Sequence, residues 1–209
     1  MSHQAANLRS ISGWIGRLLR LDLSVFDEIR SDPSATPGAI IVVAVASVMA
    51  GIGSWLWAMQ WGGVEASEVF VKSLVLGSIL QTLAWFIWVY LVFQVLARGY
   101  RARIDFYELI RTMGFAFAPV ALGILVSVPN FAMPFGVASL TGAALLTYFA
   151  IRSSSSAEPQ QALVANFVGF LFFVVVMGVL ANIWEVSQVG GGPKIGGLSP
   201  GLLFFDLNF

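Results

Sequence analysis

Charged residues are absent from four long stretches of the chain: between Asp32 and Glu65, Lys72 and Arg98, Arg111 and Arg152, and Glu158 and Glu185. A hydrocarbon layer about 30 Å thick needs about 20 apolar residues in a helix to cross it. Three of the stretches fit one crossing each, and the third is long enough for two. Pro129, Asn130 and Pro134 divide it, with the missing donors and turn chemistry of a tight hairpin. The pattern therefore predicts five spans: Gly38 to Gln60, Ser73 to Ala97, Thr112 to Val128, Pro134 to Ile151, and Ala162 to Trp184. Thr36 followed by Pro37 reads as an N-cap and first helical residue for the first span. Asp105 with Glu108 resembles a capping box, so the third helix is expected to start before its membrane segment. Pro119 inside that helix cannot donate to the carbonyl of Phe115 and predicts a kink.

Ahead of the first span a different periodicity appears. Leu8, Ile11, Ile15 and Leu18 recur at helical spacing, widened by Trp14, while Arg9, Arg17 and Arg20 fall elsewhere around the helix. A basic amphipathic helix of this kind lies on a membrane surface through Arg9, Trp14, Arg17 and Arg20, or packs against the ends of the bundle. Val25, Phe26 and Ile29 extend the same apolar layer. The expected organisation is a cytoplasmic segment over 1–36, a five-helix domain over 37–184, and a Gly-rich tail over 185–209 that ends in Leu202, Leu203, Phe204, Phe205, Leu207 and Phe209. Six large apolar side chains after a glycine-rich tether need cover, from the bundle or from a partner chain, and are the candidate docking residues. The four serines at 153–156 read as a short linker.

Composition supports the class, since 58% of residues are hydrophobic and the mean hydropathy is +0.85, above the range of soluble domains. The fold class expected is all-α, an integral membrane bundle of five transmembrane helices with an N-terminal amphipathic helix. The eleven basic and eleven acidic residues cancel, so no net field draws the chain to nucleic acid. Their placement is informative instead. Nine of the eleven Lys and Arg residues, Arg9, Arg17, Arg20, Arg30, Arg98, Arg101, Arg103, Arg111 and Arg152, fall on one side of the predicted spans, and only Lys72 and Lys194 on the other. The positive-inside rule then puts the N-terminus in the cytoplasm and the C-terminus outside, in a plasma or inner membrane. The N-terminal segment lacks the apolar core of a cleavable signal, so it is expected to be retained, with the first span as signal anchor. Trp55, Trp57, Trp61 and Trp184 cluster near the inferred outer face as an aromatic belt.

Little chemistry is on offer. The chain has no cysteine, its one histidine is His3, and no charged residue stands within the five predicted spans. Thiolate catalysis, serine-histidine catalysis, zinc sites and histidine-ligated haem are excluded by that inventory. No catalytic residue, metal or cofactor is expected, and carriage of ions by buried charges is disfavoured. The polar groups inside the spans include Gln94 and Asn166, placed to hydrogen-bond between helices. Gln81, Trp85 and Trp88 share one face of the second helix and are the candidates for contact with a buried lipid or cofactor. Ser47 with Gly51, Ala46 with Ala50, and Ala138 with Gly142 place small residues at the spacing that lets helices approach closely, within one chain or between chains.

Two stretches, Arg17 to Pro37 (RLLRLDLSVFDEIRSDPSATP) and Phe106 to Leu125 (FYELIRTMGFAFAPVALGIL), resemble the Yip1 domain family. In that family a cytoplasmic segment precedes five membrane helices, and a Gly-aromatic-Ala-x-Ala-Pro element opens the third. Here the element stands as Gly114-Phe115-Ala116-Phe117-Ala118-Pro119. The Asp-Leu-Tyr-Gly-Pro and Gly-Tyr-Gly motifs of the eukaryotic branch are missing, so the resemblance implies an architecture rather than association with GTPases. The expected function is a non-enzymatic Yip1-like scaffold or accessory subunit, with the bilayer and other membrane subunits as partners. The alternative is a carrier or channel for a neutral or lipidic substrate.

Overall fold

The computed structural model describes residues 2–60, 65–128 and 130–183, and for residues 2–9 and 181–183 only the course of the helix. Trp61, Pro129, Trp184 and the tail residues Leu202, Leu203, Phe204, Phe205, Leu207 and Phe209 lie outside the described residues, as do the side chains of His3, Leu8 and Arg9. The protein is all-α. Helix α1 covers Ser2–Leu19, α2 Val25–Ser31 and α3 Ala35–Met59; α4, Ala66–Val69, and α5, Gly77–Gln94, are joined and followed by π-helical turns; α6 is Phe106–Ala116, α7 Ala132–Ser154 and α8 Pro159–Ile183. Five helical segments are long and apolar enough to cross a membrane: Ala35–Met59, Ala66–Gly99, Phe106–Ser127, Ala132–Ser154 and Pro159–Leu180. These are the five predicted spans, each extended at one or both ends.

Local chemistry accounts for the extensions. Asp32 accepts from the backbone N–H of Ser34 at 2.8 Å and organises the turn that launches α3 at Ala35. Thr36 is therefore already helical rather than the cap, and Pro37 sits in the first turn, where its missing donor costs nothing. The second span starts at Ala66, earlier than its apolar run, because Glu68 and Lys72 pair one turn apart and neutralise each other. Asp105 caps α6 by accepting from Tyr107 and Glu108 backbone N–H groups, each at 2.9 Å. Pro119 does not leave a kinked α-helix behind it. After Phe117 the chain continues as a 3₁₀ helix over Ala118–Ser127, and Pro119 is its second residue, in the first turn, where a backbone donor has no partner within the helix to lose. The hairpin that follows is closed by the Phe131 N–H on the Val128 carbonyl at 3.1 Å, with Asn130 at φ 64°.

The chain packs as two compact units. The first holds residues up to 43 with 87–118 and 143–170. Its core contains Phe26, Trp88, Leu109, Met113, Phe115, Phe117 and Ile151, all buried. A methyl group on Gly114 would lie 2.7 Å from the Ala39 methyl, so α3 and α6 touch at their backbones there. Asn166 donates across to the Ala144 carbonyl at 2.9 Å, the interhelical bond its position predicts. Gln94 makes no such bond through its side-chain oxygen among the described residues.

The second unit holds residues 44–86, 119–142 and those from 171 on. Here one member of each small-residue pair, Gly51, Ala50 and Gly142, packs within the protein. Gly51 faces Ser73, Leu74 and Ser78; Ala50 faces Gly123; Gly142 faces Pro119. Ser78 donates to the Ser47 carbonyl at 3.1 Å across the same crossing. Trp55 meets Phe70 edge to face at 5.6 Å, and Trp55, Trp57 and Met59 pack on Ala58 and Val69.

Candidate functional site

The polar groups of the first unit gather where α2, the start of α6 and the end of α7 meet. Val25, Phe26 and Ile29 anchor α2 by burial, which leaves its charged side chains to reach its neighbours. Arg30 donates to the Ser153 carbonyl, stands 3.9 Å from the Glu108 carboxylate, and offers its own carbonyl to the Arg111 guanidinium at 2.8 Å. Ser153 in turn donates to Asp27 at 3.0 Å.

The serine run is not a linker. Ser153 and Ser154 finish α7, and the Ser154 and Ser155 hydroxyls donate back to the Ala150 and Ile151 carbonyls, each at 2.8 Å. Ser155 forms a bridge with Ile104, and Ser156 and Arg103 exchange two bonds, Arg103 N–H to the Ser156 hydroxyl at 2.8 Å and Ser156 N–H to the Arg103 carbonyl at 3.0 Å. Small hydroxyl side chains serve here because they satisfy backbone groups without occupying the space in front of them. That space is an open polar cleft of about 490 Å³ lined by Arg30, Arg103, Asp105, Glu108 and Ser154–Ser156. Two guanidinium groups and two carboxylates on one rim suit a ligand that carries both signs, such as a polar peptide segment. The sequence pointed to the basic loop and the Asp105 cap, but nothing in it paired that loop with the serines.

The residues expected at a membrane surface divide. Trp14 is 5% exposed, lies edge to face on Phe115 at 5.3 Å, and donates to Glu28 at 2.9 Å. Arg17 bonds Asp22 at 2.8 Å, Ser24 at 3.2 Å and Glu28. Both are thus engaged within the protein, and α1 packs on α3 and α6: the Ile11 side chain lies 2.9 Å from where a methyl on Gly38 would sit. Arg20 remains exposed. Helix α1 ends in a Schellman pattern, Asp22 N–H to the Arg17 carbonyl and Leu21 N–H to the Leu18 carbonyl, with Leu21 at φ 59° where glycine is usual. A leucine in that conformation costs about 1–2 kcal/mol.

The same network makes the α1–α2 junction sensitive to acid. Bonds from Ser24 and then Arg17 hold the Asp22 carboxyl below its ordinary range, and Trp14 and then Arg17 do so for Glu28. A carboxyl depressed in the folded state adds stability above its unfolded pKa, and that contribution disappears as pH falls through the folded value. The protection of α1 amides against hydrogen exchange, relative to their intrinsic rates at each pH, should therefore fall selectively below the usual carboxylate range. Glu28→Gln should flatten that response. An acid response that is uniform over all helices would show that the junction is not the sensitive element.

Gln81 and Trp85 belong to the second unit and Trp88 to the first; Gln81 is 1% exposed and both tryptophans are fully covered by the protein. Trp85 packs on Phe86, and Trp88 lies between Phe117 and Phe170 with Gly169 against its indole. Neither amide atom of Gln81 has a hydrogen-bond partner among the described residues. No cluster of His, Asp and Glu suited to a metal occurs among the described residues. Comparison with protein families, curated proteins and solved structures finds no match to this chain.

Proposed function

We propose that this chain is a non-enzymatic, Yip1-like scaffold or accessory subunit of a membrane complex, with its N-terminus and the polar cleft in the cytoplasm of a plasma or inner membrane. The observation that carries the reading is the contrast between interior and end. Large side chains such as Trp85, Trp88, Phe115, Phe117 and Phe173 fill the cores of the two units, while an open cleft of mixed charge stands beside the basic loop. A partner's peptide segment in that cleft would meet Arg103 and Glu108 at once. The apolar tail residues, Leu202, Leu203, Phe204, Phe205, Leu207 and Phe209, are a second docking element in this reading, expected outside the cytoplasm from the placement of Lys and Arg along the sequence, at about 1.5–3 kcal/mol for each side chain fully buried.

A second reading, a carrier for a neutral or lipidic substrate, is favoured by Gln81 and by the Ser47 hydroxyl, both buried and without a partner among the described residues. Native mass spectrometry of the chain ejected directly from its own membranes separates the two. The scaffold reading expects a second protein chain in fixed ratio, reduced by Arg103→Glu and by truncation after Gly197. A chain that leaves the membrane alone, or with only a neutral small molecule, in all three forms would overturn it.

A further inference from the structure

Leu19 and Leu21 are 78% and 75% exposed, more than any other large apolar side chain among the described residues, and they flank the exposed Arg20. Burial is what a leucine at the end of an amphipathic helix ordinarily gains. Leu21 forgoes it and also occupies the left-handed position of the α1 cap, at φ 59°, where glycine would be unstrained. The corner is nonetheless held in one geometry. Arg17 bonds Asp22, Ser24 and Glu28, and Asp22 accepts from both the N–H and the hydroxyl of Ser24. A fixed turn that displays two leucines around an arginine is organised for an outside contact.

What covers it follows from where α1 lies. Ile11 packs at Gly38, in the first turns of the first span, and Trp14 packs on Phe115, within the third. Helix α1 therefore packs beside the first turns of the first span, which puts its exposed C-terminal corner within a few helical turns of the point where that apolar segment begins. An apolar pair beside a cation matches that boundary, with acyl chains on one side and phosphates on the other. We propose that Leu19–Arg20–Leu21 is a lipid anchor, in which the leucines enter the headgroup–acyl boundary and Arg20 binds the phosphate of an anionic lipid.

The absence of cysteine allows a single nitroxide label to be placed cleanly. The full chain is reconstituted in bilayers of phosphatidylcholine, with and without phosphatidylglycerol, carrying the label at Leu19→Cys, Leu21→Cys or Ser31→Cys. Labels at 19 and 21 should collide more with oxygen than with an aqueous nickel chelate, and the label at exposed Ser31 the reverse. With the label at 19, Arg20→Gln should reduce the ratio of shielded to exposed label in the anionic bilayer by roughly fivefold, equivalent to about 1 kcal/mol for one basic residue at such a surface. Leu21→Gly should reduce that ratio while leaving α1 amide protection equal or higher, which a merely structural leucine would not do. Labels at 19 and 21 as open to the nickel chelate as the label at 31, in both lipids, would overturn the proposal.

Discussion

Gly53→Ala is expected to be the most damaging single methyl added anywhere in the second unit. The added carbon would lie 2.0 Å from the Gly123 carbonyl oxygen and 2.8 Å from both the Gly123 carbonyl carbon and the Ile124 Cα. All three are backbone atoms, so no side chain can rotate away, and α3 must separate from the 3₁₀ segment Ala118–Ser127. Overpacking costs about 1–3 kcal/mol where neighbours can adjust, and the upper end or beyond applies to a backbone pair. Replacing a helical glycine returns only about 0.5–1 kcal/mol, so the clash wins. Gly178→Ala is the control, because a methyl there meets nothing within 4 Å and should be neutral or mildly stabilising. Unfolding in mild detergent with increasing dodecyl sulfate, followed by circular dichroism, measures both. If the two variants unfold within about 0.5 kcal/mol of each other, the close crossing does not exist.

Such crossings mark where the sequence stops being legible. The five spans are readable because a charge in hydrocarbon is expensive wherever it stands, so their outline needs no knowledge of neighbours. Helix ends are less readable. Glu68 and Lys72 cancel each other, and Ser154 and Ser155 return their hydroxyls to helix carbonyls, so both helices run past the apolar stretch that announces them. The destination of α1 was open because one apolar stripe fits a lipid surface and a protein groove equally well. Gly38 and Phe115, far along the chain from Ile11 and Trp14, receive these two side chains of the stripe, while Leu19 and Leu21 at the end of the helix stay exposed. Gly53 and Gly123 sit in different helices, and no spacing rule relates them. The cleft was hidden for the same reason: Arg30, Arg103 and Ser154–Ser156 meet only through the fold.

Gly169→Ala in α8 should be nearly as costly as the change at Gly53, but for a different and reversible reason. A methyl there would lie 2.1 Å from Trp88 Cδ1, 2.7 Å from its Nε1, and 3.1 Å from the Trp88 carbonyl oxygen. The indole cannot swing aside, since Phe117 and Phe170 stand against it with ring centres at 6.4 and 5.4 Å. The obstacle is mainly one side chain, so it can be removed. Gly169→Ala alone should cost about 2–3 kcal/mol. Trp88→Phe alone leaves space beside Gly169 and should also destabilise, as large-to-small changes in a packed core do. In the Trp88→Phe background the alanine fills that space, so the two costs should fall short of additivity by about 0.5–3 kcal/mol, the range of directly coupled pairs. The same unfolding titration closes the cycle with four proteins. Additive costs would mean that Gly169 does not exist to seat Trp88, and would reopen this tryptophan as a contact for a buried lipid or cofactor.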